Sequence, residues 1–190
     1  QLFIIDPFCK FNIEFDTTTL IMNELIRNGH FVYTCTEYDI SIHNRENYCY
    51  AKLHTSHINQ NISQKDIKAK KYNLEIFDII HIRKDPPFDI SYITLLLLLK
   101  HLERPLLVNS PEALLKYNEK TSIFLFPDYI TDTLVSSCFN EIKIFLGSVG
   151  GIAVLKPLFG CSGKGIKVLQ LNDPELKTLF LKLQIKKKIK

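Results

Sequence analysis

Arg83-Lys84-Asp85-Pro86-Pro87-Phe88-Asp89 follows directly on the apolar run Ile79-Ile80-His81-Ile82. A short Ile-rich run reads as a buried strand of a parallel sheet. The segment after it is a charged loop stiffened by two prolines, each fixing φ near about −65°, and a helix opens near Ser91. In open α/β sheets, ligands bind beyond the carboxyl ends of strands. Charged residues held on a Pro-Pro turn at that place point to recognition. The plainer reading is a solvated turn.

A second stretch, Lys156-Pro157-Leu158-Phe159-Gly160-Cys161-Ser162-Gly163-Lys164-Gly165, follows the apolar segment Ile152 to Leu155. Glycines at 160, 163 and 165, with Ser and Lys between them, let backbone amides turn inward around phosphate oxygens. A Walker loop would have Gly-Lys-Ser/Thr opening a helix, whereas Ile166-Lys167-Val168-Leu169 reads as a strand. A glycine-rich flap between two strands, with Lys156 closing the first, fits a nucleotide. An ordinary hairpin is the alternative.

Around these two stretches the chain alternates. Leu2 to Ile5 reads as a strand, and Asp16 to Asn28 as a helix with Thr caps and Gly29 as its stop. Phe31 to Tyr33 is a strand, Ile40 to Thr55 a hairpin, and Asn59 to Lys71 a long loop or frayed helix. Helix Ile90 to Leu102 and strand Leu106 to Val108 follow. Ser110-Pro111-Glu112 carries a Ser cap, Pro at the first position and an acid in the first turn of the next helix. Beyond it a helix over Glu119 to Phe126, a strand over Thr133 to Val135 and a helix over Phe139 to Leu146 are expected. These elements describe a Rossmann-like α/β domain with a parallel sheet, then a second region.

Composition agrees with this. A chain of 190 residues, 46% hydrophobic, can bury a core of one or two domains. Its net charge of +4 is modest and scattered, so no nucleic-acid patch is read. Leu95 to Leu99 is far shorter than the roughly 20 residues of a membrane helix, and no signal peptide is read before the first strand. Neither membrane nor nucleic-acid partners are expected. Cys9, Cys35, Cys49, Cys138 and Cys161 show no CxxC spacing, and the six histidines no metal spacing. Reduced thiols in the cytoplasm are therefore expected, with neither disulfides nor a metal site from this chain. Cys161 reads as a small loop residue without a His base nearby.

In their order along the chain, several blocks resemble the bacterial glutathione synthetases of the ATP-grasp superfamily. They are Ile5-Asp6-Pro7, Asn12-Ile13, Asp16-Thr17-Thr18, Arg83 to Asp89, Val108-Asn109-Ser110-Pro111, Asn118-Glu119-Lys120, and Leu155 to Leu158 with the glycine loop. The resemblance runs from about Leu2 to about Asp173. RKDPPFD is specific for that family, whereas the glycine loop is shared more widely among ATP-grasp ligases. The resemblance implies a pre-ATP-grasp domain that takes the peptide substrate over residues 1–117, the start of an ATP-grasp domain over 118–173, and a divergent basic tail over 174–190.

The activity implied is ATP-dependent ligation of γ-glutamylcysteine and glycine through an acyl phosphate, with Mg²⁺ to offset the phosphate charge. Lys120 and Lys156 match the family's two phosphate-contacting lysines. Gly160, Ser162 and Gly163 would cover the phosphates through their amides. Arg83 suits a substrate carboxylate, with Asp85 orienting it or receiving an ammonium. Asp6, Asn12 and Asp16 line the same cleft or cap the first helix. Phe159 and Ser162 depart from the family's usual acid or Tyr and Gly. No catalytic residue and no Mg²⁺ ligand is assigned, because the family's metal-holding side chains, adenine strand and acyl-phosphate arginines lie in a further segment without counterpart here.

The chain is thus expected to be inactive alone, as a fragment, a frameshift product or a partner-dependent subunit. Alternatives are a non-catalytic peptide- or nucleotide-binding remnant and an ATP-grasp ligase with another amino acid acceptor. The family also implies a homo-oligomer, commonly a tetramer.

Overall fold

Leu2–Ile5 forms strand β1, and all four of its side chains are buried. From it the chain runs through α1 (Thr17–Arg27), β2 (Val32–Cys35), β3 (Ile40–His43), β4 (Glu46–His54), β5 (Lys70–Asn73), β6 (Ile79–Arg83), α2 (Ile90–Leu99), β7 (Leu106–Val108) and α3 (Pro111–Lys116). The computed structural model describes residues 1–10, 15–44, 46–59, 67–160 and 163–185. The chain divides into two units, Gln1–Tyr117 and Asn118–Lys190.

In the first unit the strands order as β3-β4-β2-β1-β6-β7, with β5 also paired to β4. β2, β1, β6 and β7 run parallel. β4 is antiparallel to β2, β3 and β5. The α/β class and the Rossmann-like parallel centre agree with the sequence. The sheet as a whole is mixed, because the hairpin expected over Ile40 to Thr55 joins the parallel centre as β3 and β4. Parallel neighbours need a helical crossover, and the β3–β4 hairpin has none, so that flank must run antiparallel.

Both faces of the parallel centre are covered. Leu2, Ile4, Ile80 and Ile82 join Leu95, Leu96 and Leu99 of α2 on one face. Phe3, Ile5 and Val32 meet Met22 of α1 and Ile58 on the other. Each such side chain contributes about 1.5–3 kcal/mol by leaving water. Burial on two faces is why β1 and β6 read as unbroken apolar runs.

Side-chain caps set the helix starts. Asp16 Oδ1 accepts from the amides of Thr18 at 2.7 Å and Thr19 at 3.1 Å, so the cap of α1 is the carboxylate and not a threonine. Gly29, at φ +79°, follows the last turn of α1 as expected. Asp89 caps α2 through the amides of Ser91 and Tyr92. Ser110 caps α3, with Pro111 in its first turn.

The second unit holds α4 (Phe139–Ser148), the antiparallel pair β8 (Ile152–Leu155) and β9 (Lys167–Gln170), and α5 (Leu176–Ile185). Its core is Leu146, Leu169 and Leu176, with Phe139, Ile142 and Leu155 packed around them. Two expectations fail here. The helix expected over 119–126 is a 3-10 turn, Ser122–Leu125, and Pro127 follows at once. Asn118 Oδ1 takes the amides of Lys120 and Thr121 as a cap would, but proline disfavours helical geometry in the residue before it, and Phe126, at φ −130° and ψ 61°, ends the turn. Thr133 to Val135 forms no strand, because among the described residues no neighbour pairs with it; Thr133 bonds locally to the Thr131 carbonyl. Conversely, α5 is helical where the sequence reading assigned no element. Among the described residues no helix is long and apolar enough to cross a membrane.

His54, 3% exposed, lies with its Nε2 2.8 Å from the Thr34 hydroxyl. Burial, then the nearby Lys52 charge, lower its pKa from 6.5 to about 4. A base whose folded pKa is depressed favours the unfolded chain once protons are available. Its contribution is complete above pH 6.5 and is lost as pH falls towards about 4. Between about pH 7.5 and about pH 5 this site alone should remove about 2 kcal/mol of stability. Urea titrations followed by circular dichroism should show that loss in the parent chain and a correspondingly flatter pH dependence in His54→Gln.

Candidate functional site

Two places in the fold gather the residues singled out by sequence, one in each unit. In the first unit the chain leaves β1 towards β2 and leaves β6 towards β7. Since β1 and β6 are neighbours, their connections diverge and leave a crevice at the carboxyl ends. Asp6 stands just past β1, and Arg83 ends β6.

Asp6, only 8% exposed, accepts the Asp85 amide on Oδ2 at 2.9 Å. Its Oδ1 lies 3.6 Å from Lys84 Nζ. Lys84 also meets Glu37 Oε2 at 3.0 Å, and the Lys84 and Glu37 side chains are only 10% and 9% exposed. Burial opposes the charge on Lys84, but Glu37, Asp6 and Asp89 outweigh it and hold its pKa above the ordinary lysine range. Arg83 turns the other way. Its Nε donates to Thr18 Oγ1 at 3.1 Å and its Nη2 to Thr17 Oγ1 at 3.0 Å. The guanidinium is thus fixed beside the first turn of α1, where cation and helix terminus together favour a carboxylate.

The remaining sequence-named residues of this cleft divide. Asp16 is engaged as the α1 cap, the plainer of its two readings. Asp85 is exposed, with its amide tied to Asp6. Asn12 lies outside the described residues. The Pro86–Pro87 peptide is cis, and the Asp89 amide donates to the Pro87 carbonyl. Lys84 and Glu37 were not singled out by sequence. Lys84 sits inside the RKDPPFD block, but its partner Glu37 is distant in the chain and only the sheet order unites them.

In the second unit the glycine-rich loop joins β8 to β9. Lys120, Lys156, Gly160, Gly163, Lys164 and Glu119 line one cavity of about 130 Å³. Lys120 Nζ donates to the Gly160 carbonyl at 2.6 Å and pairs with Glu119. Lys120 and Lys156 also border a larger cavity of about 720 Å³, whose walls include Leu134, Ile152 and Val154. That volume is within the usual range of small-molecule sites. Two ammonium groups at the junction of a glycine-lined and a partly apolar cavity can hold a polyanion whose other end is a flat, less polar group. Ser162 and Cys161 lie outside the described residues. Glu119 and Lys164 are additions that the sequence reading did not name as site residues.

The donors suit phosphate oxygens. Among the described residues no group of three His, Cys, Asp or Glu side chains is arranged to hold a metal ion. No residue here is therefore assigned to Mg²⁺.

Gly163 and Gly165 have φ of +72° and +81°. At Gly163 an added Cβ would meet open space, whereas at Gly165 it would lie 2.9 Å from Pro157 Cγ.

Residues 1–114 match the N-terminal domain of prokaryotic glutathione synthetase, and residues 119–189 match the ATP-grasp domain of the same family. Similar curated proteins are glutathione synthetases. That of Wigglesworthia glossinidia brevipalpis is 32% identical over 179 residues, 93% of this chain and 56% of the relative. That of Parasynechococcus marenigrum is 33% identical over 182 residues, 95% of this chain and 58% of the relative. That of Neisseria meningitidis serogroup B is 30% identical over 185 residues, 94% of this chain and 58% of the relative. The chain spans a little over half the length of these relatives.

Left-handed backbone costs a residue with a Cβ about 1–2 kcal/mol. Gly163→Ala should lose about that much, and Gly165→Ala more, since Pro157 must also shift. Denaturation monitored by circular dichroism compares the two; equal losses would show that the Pro157 contact does not constrain the loop.

Proposed function

This chain belongs to the prokaryotic glutathione synthetase family, and on that premise we propose that it serves the ATP-dependent joining of γ-glutamylcysteine to glycine. The first unit binds the dipeptide, and the glycine loop of the second covers the nucleotide. The observation that carries this reading is the convergence of Lys120, Lys156, Gly160 and Gly163 on one cavity in a chain of this family.

The chemistry follows from charge. An oxygen of the cysteinyl carboxylate attacks the γ-phosphorus of ATP, and ADP leaves with the bridging oxygen. The glycine amine then attacks the acyl carbon, inorganic phosphate departs, and the amine nitrogen gives up a proton. Both the carboxylate and the triphosphate are anions, so cations must offset their repulsion. Lys120 and Lys156 supply two of these charges. The amides about Gly160 and Gly163 add donors without adding side-chain bulk, and a closed loop keeps water from the acyl phosphate.

Arg83 takes a carboxylate of the dipeptide, its fork already oriented by Thr17 and Thr18. Asp85, two residues further along the same loop, takes an ammonium of the dipeptide. The buried free thiols of Cys35 and Cys49 support a reducing, cytoplasmic setting. The family resemblance supports homo-oligomers.

Calorimetric titration tests this. The 190-residue chain should take up ATP with Mg²⁺, and separately γ-glutamylcysteine. A charge-assisted contact is worth roughly 1.5–3 kcal/mol, so Lys156→Ala or Lys120→Ala should weaken ATP about tenfold or more. Arg83→Met should weaken the dipeptide similarly and leave ATP unchanged. Heat flow that saturates with neither ligand would overturn the reading.

A further inference from the structure

The loop proposed to receive the dipeptide stands on a buried ionic network that the ligation chemistry does not use. Asp6 is the hinge of that network. One of its oxygens takes the Asp85 amide at 2.9 Å, and the other faces Lys84 Nζ at 3.6 Å. Lys84 in turn faces Glu37 Oε2 at 3.0 Å, from the 3-10 turn Glu37–Asp39 that follows β2. That oxygen is buried, and Lys84 is the cation that faces it. The Lys84 ammonium also lies 5.9 Å from the Tyr92 ring of α2, on the other side of the loop.

A charge this deep is not a stabilising ornament. Desolvating three ionised groups offsets most of their attraction, and apolar residues of similar size would serve stability as well or better. What such a network supplies is fixed geometry. It ties the connection after β1, the turn after β2 and the loop after β6 to one point. Arg83, bonded to Thr17 and Thr18, and Asp85, bonded to Asp6, are the residues immediately on either side of Lys84.

We infer that Lys84 is a positioning residue: held between Asp6 and Glu37, it fixes the Asp6 carboxylate against the Asp85 amide and so sets the placement of Arg83 and Asp85 at the strand ends. Its consequence for recognition rests on the dipeptide reading above; the positioning itself does not.

The test is amide hydrogen exchange by NMR on the full 190-residue chain, paired with titration of γ-glutamylcysteine. In Lys84→Met the Asp85 amide should exchange about tenfold faster, while the amides of β6 keep their protection. Lys84→Arg, which restores the charge, should recover most of the slow exchange. Should Lys84→Met fail to fold, Glu37→Gln loosens only one side of the network and should speed Asp85 exchange by roughly threefold. Where the parent chain binds the dipeptide, Lys84→Met should weaken it about tenfold and Lys84→Arg should restore it. Unchanged Asp85 exchange in the folded variants overturns the inference. Dipeptide affinity unchanged in Lys84→Met overturns its role in recognition. A parent chain that binds no dipeptide yet shows the exchange pattern upholds the network and removes the dipeptide reading instead.

Discussion

Strand β1 has a parallel neighbour on each edge and an apolar layer on each face, so it has no side left to give to water. This constraint organises the first unit. A strand enclosed in that way must be apolar throughout, and its register cannot slip, since one residue of slip would exchange its faces. Because the chain departs from β1 and β6 in opposite directions, the carboxyl ends open into a crevice. The first residue beyond β1 is Asp6, which the enclosure has already removed from most solvent. A carboxylate there needs a cation and a donor, and the loop after β6 brings Lys84 and the Asp85 amide. The crevice is polar and yet rigid because the sheet beneath it is apolar and held in register.

The second unit reaches a comparable result with less structure. Its sheet, as described, is the pair β8 and β9, and two strands alone are marginal in water. Their support is the Leu146, Leu169 and Leu176 core against α4 and α5. The loop between the strands keeps its turn through glycines in left-handed backbone, which leaves peptide groups unshielded by side chains. Lys120, from another part of the unit, reaches the Gly160 carbonyl and so belongs to the loop's surroundings as much as to its own turn.

Much of this was legible in one dimension. Strands β1, β6, β7 and β8 announce themselves as largely apolar runs, and Ser110-Pro111 and Gly29 mark helix ends by chemistry that acts within a few residues. Lys120, Lys156, Gly160 and Gly163, named from the sequence, line one cavity. The misses are of another kind. A helix expected over 119–126 is cut to a single 3-10 turn by Pro127, which outweighs the apolar content before it. Thr133 to Val135 has strand-forming residues, but strand formation depends on a partner as well as on propensity. The cap of α1 fell to Asp16 because it is the residue just outside the helix, from which its Oδ1 reaches the amides of Thr18 and Thr19, whereas Thr17 to Thr19 are already helical.

The sequence by itself determined the α/β class, the family, the loop after β6 and the glycine flap, since each depends on residues adjacent in the chain and on the periodicity of burial. The pairing of β4 with β2 and β5, and of Lys84 with Glu37 and Asp6, came only from the tertiary structure. So did the turning of Arg83 onto the hydroxyls of α1. Ion pairs and hydrogen bonds act over a few ångströms in space, and spacing along the chain carries no record of which distant residue the sheet order will bring within that distance.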